Sequence, residues 1–191
     1  MTAAPPRAPA VPLPPSVPLS QAVHADAATQ QARRLRFTAV LGGFRARAAW
    51  LPAGSVRRRQ GLQLCTAARL LTALGTRVEV VQPDPPWPRH RSHRILVGNT
   101  AGLLGDLALL IVVPRTTLGW ADVADRVLPV RTTLRAVGPD DDVVDCPVTV
   151  AYRTPSGLAE PRTLNEVVAA RGLVIEVRLL PALGAGARRA A

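Results

Sequence analysis

Residues 94–113 read R-I-L-V-G-N-T-A-G-L-L-G-D-L-A-L-L-I-V-V, and the rest of the chain is organised around them. Ile95 to Val97 form a short apolar run that ends in a Gly-Asn turn, and a second apolar run follows from Leu103 to Val113. The pattern predicts a buried strand, a loop and a helix. α/β proteins place their sites where a buried strand hands over to a helix in this way.

The chain has 191 residues, enough for one ordinary domain plus a tail. Seven prolines in the first 20 residues favour extended conformations and predict a tail that cannot fold on itself. A short amphipathic helix is expected around Arg33, Arg34, Arg36, Phe37, Val40 and Leu41, stopped by Gly42-Gly43. Residues 1–54 are thus read as a mostly disordered tail, 55–183 as the folded domain and 184–191 as a short C-terminal tail.

Leu64, Ala67, Ala68, Leu71 and Leu74 recur at helical spacing between Ser55, an N-cap candidate, and Gly75, a stop. They predict a helix over 56–74. A strand is expected at 77–81 and another at 94–98, then the helix of the second apolar run, closed by Pro114. Further expectations are a helix from Asp122 ending at Pro129, a strand from Pro147 to Arg153 with the turn T-P-S-G, a helix from Arg162 or Thr163 to Ala170, and a last strand from Leu173 to Leu180. This order predicts an α/β domain with a mixed, largely parallel sheet flanked by helices.

The net charge of +11 raises the question of a nucleic-acid partner. Its distribution argues against one. Residues 1–59 hold nine Arg and one acid, Asp26, whereas 60–191 hold 15 Arg against 12 acids, so the folded part is close to neutral. Aromatic content is 3%, which leaves few side chains for stacking on bases. Arg57, Arg58 and Arg59 open the 56–74 helix, where the helix dipole disfavours positive charge. They are expected either to meet an external anion, such as the head groups of an anionic membrane surface, or to form the solvated end of a core helix.

Cys65 and Cys146 lie in apolar surroundings at unrelated spacing, which predicts reduced, buried thiols and a cytoplasmic location. No run reaches the roughly 18 apolar residues of a membrane span, and the prolines break up any signal peptide. His90 and His93 have ligand-like spacing without further ligands nearby, so no metal site is expected. Residues 138–145, G-P-D-D-D-V-V-D, are expected to form a solvated acidic loop, since their spacing lacks a calcium-loop pattern.

R-L-L-T-A-L-G-T-R-V-E-V at 69–80, L-V-G-N-T-A-G-L-L-G-D-L-A-L-L at 96–110, V-L-P-V at 127–130, P-V-T-V-A-Y-R-T-P-S-G at 147–157 and A-R-G-L-V-I-E-V-R-L-L-P-A-L at 170–183 resemble, in order, segments of the glycerolipid acyltransferases that make phosphatidic acid. The resemblance implies a truncated form of that family's fold. It also implies acyl-CoA or acyl carrier protein as donor, a lysophospholipid as acceptor, no cofactor, and a peripheral place at the inner membrane face. The family's catalytic motif pairs a His after an Asn with an Asp further on, so Asn99, Thr100, Gly105 and Asp106 are the vestigial motif positions. Thr100 stands where the His belongs and Gly105 where the Asp belongs. Asp106, one residue later, is about 100° further round a helix. The Phe-Pro-Glu-Gly-Thr substrate motif is absent, and the chain is shortened between Pro139 and Pro147. The expectation is therefore a pseudoenzyme of phospholipid biosynthesis, membrane-associated and without acyl transfer. The alternatives are transfer with His90 or His93 as the base, and a basic-tailed protein binding an anionic membrane or nucleic acid.

Overall fold

The structure is a computed structural model that describes residues 23–52, 55–84, 86–87, 92–98, 102–130, 143–161 and 163–183. The proline-rich stretch, His90, Asn99, Thr100 and the aspartates at 140–142 lie outside the described residues. In chain order the elements are α1 (Ala27–Ala49), α2 (Val56–Leu74), β1 (Arg77–Val81), β2 (Ser92–Val97) and α3 (Gly102–Val112). They continue with α4 (Trp120–Val127), β3 (Val143–Thr154), β4 (Gly157–Ala159), α5 (Leu164–Ala169) and β5 (Val174–Leu179).

The helix expected over 56–74 is α2, with those limits. Ala67, Leu70, Leu71 and Leu74 bury its inner face. Gly75 ends it at φ 71°, and the N–H of Thr76 reaches back to the Leu71 carbonyl at 3.1 Å. Ser55 occupies the N-cap position without capping: its hydroxyl donates to the Pro52 carbonyl at 3.0 Å instead.

The short helix read over 33–41 is corrected to the 23 residues of α1, which run straight through Gly42 and Gly43. Two interior glycines cost a helix about 2 kcal/mol together. Packing outweighs that cost, because Phe37 and Phe44, two turns apart on one face, are both buried. Asp26 starts the helix by accepting the Thr29 N–H at 2.7 Å. Arg33 ties it to the end of α5 by donating from Nη1 to the carbonyls of Val168 at 2.8 Å and Ala170 at 2.7 Å. The folded unit therefore includes α1, and the boundary at 54 is moved back accordingly.

The sheet is mixed, in the order β1-β5-β3-β2, with β4 added to β3. β1 runs parallel to β5, β2 runs parallel to β3, and an antiparallel seam joins β3 to β5. Val148 and Val150 of β3 and Ile175, Val177 and Leu179 of β5 face the helices and share one core with Leu107, Leu110 and Leu70. The alternate residues form the opposite face, where Arg153 bridges Glu79 at 2.7 Å and Glu176 at 2.9 Å.

Three further expectations change. The acidic stretch 138–145 is not all loop: Val143 and Val144 are buried and open β3, and Asp145 sits within that strand, 3.9 Å from Arg94. α4 begins at Trp120 rather than Asp122, because Trp120 is a core residue only 1% exposed. Cys65 is exposed on α2, whereas Cys146 is buried as expected.

Candidate functional site

Of the four residues singled out by the sequence, Gly105 and Asp106 lie among the described residues, on α3. β2 leaves β3 after the pairing of Val97 with Val148, where the Gly98 N–H donates to the Val148 carbonyl at 2.9 Å. β4 joins the same edge from Tyr152 onward. Between them Thr149, Val150 and Ala151 belong to neither the β2 nor the β4 ladder.

Gly105 and Asp106 both lie in the buried run Leu104–Leu110 of α3. Asp106 Oδ2 is 3.7 Å from Arg126 Nε on α4. Burial raises the Asp106 carboxyl above its ordinary range, and the Arg126 charge opposes the rise. Tyr152 stands opposite on β3, hydrogen-bonded to the Gly105 backbone. Burial pushes its hydroxyl up to about 12, with the Gly105 bond opposing and the Asp106 charge adding. The described part of the site therefore offers one carboxyl, one phenol and one guanidinium. A phenol with that pKa cannot take a proton near neutral pH, and the carboxyl is held by an arginine.

His93 lies away from this cluster. It pairs with Val144 at the far end of β2, five residues from Gly98, which is about 16 Å along a strand. Its ring instead stacks obliquely on Trp87, centroids 5.7 Å apart. Proton transfer needs hydrogen-bond reach. Among the described residues no group of three or more His, Cys, Asp or Glu side chains could hold a metal ion.

Sequence reasoning missed Tyr152 and Arg126 as members of this cluster. The alternation P-V-T-V-A-Y-R carried the signal for Tyr152, since it places that residue on the core face with Val148 and Val150. Nothing local marked Arg126.

The cationic residues divide. Arg57 and Arg58 are exposed at the start of α2. Arg59 is withdrawn from any external anion: it bridges Asp125 of α4, its side chain is 12% exposed, and Gln63 donates to the other Asp125 oxygen at 2.9 Å. At the end of α1 Trp50 is 88% exposed, and at the start of α2 Val56 is 44% exposed. Arg45 and Arg47 are exposed on the last turns of α1. Residues 27–74 hold nine Arg and no acid, so both helices carry one sign of charge. Among the described residues, no helix is long and apolar enough to cross a membrane.

Compared with models of protein families, with curated proteins and with solved structures, the chain matches none.

Proposed function

We propose that the protein is a non-catalytic relative of the glycerolipid acyltransferases that works by binding at an anionic membrane surface. The observation that carries the first half is Asp106. Among the described residues it is the one carboxyl next to the motif positions, and it faces Arg126 rather than an imidazole. Gly105, at the position of the family's Asp, offers only backbone. Losing a general base costs about 10²- to 10⁴-fold in rate.

The second half rests on the end of α1 and the start of α2. A fully presented Trp50, an exposed Val56 and the guanidinium groups of Arg45, Arg47, Arg57 and Arg58 combine an apolar wedge with cations for phosphate head groups. Aromatic residues favour that interface, where one end of the ring is apolar and the other wet. Nucleic acid fits less well, because a lone exposed Trp gives no stacking platform.

The test is sedimentation of the full chain with vesicles of phosphatidylglycerol and phosphatidylcholine, with Trp fluorescence read in parallel. Binding should fall with added salt, shift the emission to the blue, and weaken in Trp50→Ala and in Arg57→Gln/Arg58→Gln. Binding to duplex DNA with no affinity for vesicles rejects the membrane reading.

A further inference from the structure

The two edges of the sheet are treated differently. On the β2 side, Leu118 closes the edge: its N–H donates to the His93 carbonyl at 2.7 Å, and its carbonyl accepts from Ile95 at 3.1 Å. On the opposite side β1 is the terminal strand, and among the described residues nothing pairs with its outer edge. The direction of its free groups follows from the ladder. The Arg77 N–H donates to Leu173 at 3.1 Å, so Arg77, Glu79 and Val81 turn their backbone groups toward β5. Val78 and Val80 therefore point their N–H and C=O groups outward.

Two of the usual protections of an exposed edge, a proline and a bulge, are missing from β1. R-V-E-V-V has no proline, and its five residues pair one to one with β5 without a bulge. Val80 and Val81 are each 41% exposed. Its two charges are of opposite sign and two residues apart, on the face that carries Arg153 and Glu176.

We infer that β1 is a docking edge for a second copy of this chain, the two β1 strands running antiparallel and centred on Val78. This register makes Val78 face its own copy as a hydrogen-bonded pair, as its outward backbone groups require. It also sets Arg77 opposite Glu79 of the other copy, twice, as close opposite-charge pairs. A centre at Glu79 would place two carboxylates opposite each other, which is destabilising. Charge complementarity thus selects both the occupant and the register. Five residues per copy make a contact at the small end of specific interfaces, so the dimer is weak and concentration-dependent. The excess positive charge of each copy is concentrated in residues 1–59 and is screened beyond about 8 Å at physiological salt.

Sedimentation velocity of the full chain, from low micromolar to near-millimolar concentration, reads the association directly. Arg77→Glu and Glu79→Arg each turn two attractive pairs into two repulsive ones and should weaken the dimer about tenfold. The double variant Arg77→Glu/Glu79→Arg exchanges the partners and should restore it. Both residues are exposed, and the Glu79–Arg153 bridge that Glu79→Arg loses is a surface ion pair that contributes little to stability, so the fold survives; a circular dichroism melt checks that for each variant. A chain that stays monomeric throughout overturns the inference. So does a dimer indifferent to the single changes, or a double variant without recovery.

Discussion

Arg126 Nε stands 3.7 Å from Asp106 Oδ2, so the buried carboxyl of α3 faces a guanidinium from α4. Burial nevertheless leaves its pKa raised from 3.8. A carboxyl raised in the folded state stabilises the fold below its unfolded pKa and loses that contribution as the pH climbs through the folded value. Asp106→Asn keeps the shape and removes the titration. The variant should therefore gain thermal stability relative to the parent between about pH 4 and pH 7, with the two melting temperatures converging near pH 3. Melts across that range check the sign, and a gap that widens toward acid contradicts it.

Trp120 repairs a defect that the sequence itself creates. The carbonyl of Leu110 lacks its usual helical donor because residue 114 is proline, and the Trp120 indole donates to it at 3.1 Å. Trp120→Phe should cost about 1–3 kcal/mol by leaving that carbonyl unsatisfied. Trp120→Ala should cost about 3–5 kcal/mol, since it also empties a core position. Urea unfolding of the two variants separates the contributions.

Arg33 and Gly75 are coupled across α1 and α2. Gly75 has φ 71°, and a Cβ there would lie 2.8 Å from Arg33 Nη2. Gly75→Ala should cost about 1–2 kcal/mol from the left-handed backbone alone, plus the displacement of Arg33. Arg33→Ala strips the donor from two carbonyls and should cost about 1.5–3 kcal/mol. The double variant should lose less than the sum, because the alanine at 75 then has no guanidinium to push.

The two thiols should differ in reactivity. Cys65 is exposed and should react with a thiol reagent in the native state. Cys146 is buried, with burial first and the Asp145 charge second pushing its thiol up to about 11. It should react only on unfolding. Titration with and without denaturant should count one thiol and then two.

What the sequence made legible was local. α2 shows its limits because its apolar spacing and Gly75 are both written in consecutive residues, and β5 and the turn after β3 are similarly punctuated, whereas the three-residue β4 beyond that turn was not expected. α1 was cut short because the glycine penalty is local, whereas the burial of Phe37 and Phe44 against α2 is not. Arg59 illustrates the same limit at the site. Three consecutive arginines look equivalent in sequence, yet helical geometry turns Arg59 toward Asp125, 66 residues away, and leaves Arg57 and Arg58 in solvent. β2 and α3 fall where the pattern put a strand and a helix, but β2 ends the sheet path with Leu96 39% and Val97 38% exposed rather than buried, because burial depends on strand order and not on a local apolar run. The mixed α/β class follows from the element order. The arginine that faces Asp106 arrives from α4 and left no local trace.

Acyl transfer from labelled acyl-CoA to lysophosphatidic acid, measured with the full chain on anionic vesicles, bears most directly on whether the protein performs the proposed family's chemistry. Product should stay at the level of the protein-free control across pH 6 to 9. Turnover above that level that disappears in Asp106→Ala would show that the carboxyl beside Arg126 works as part of a catalytic site, and would contradict a scaffold that only binds.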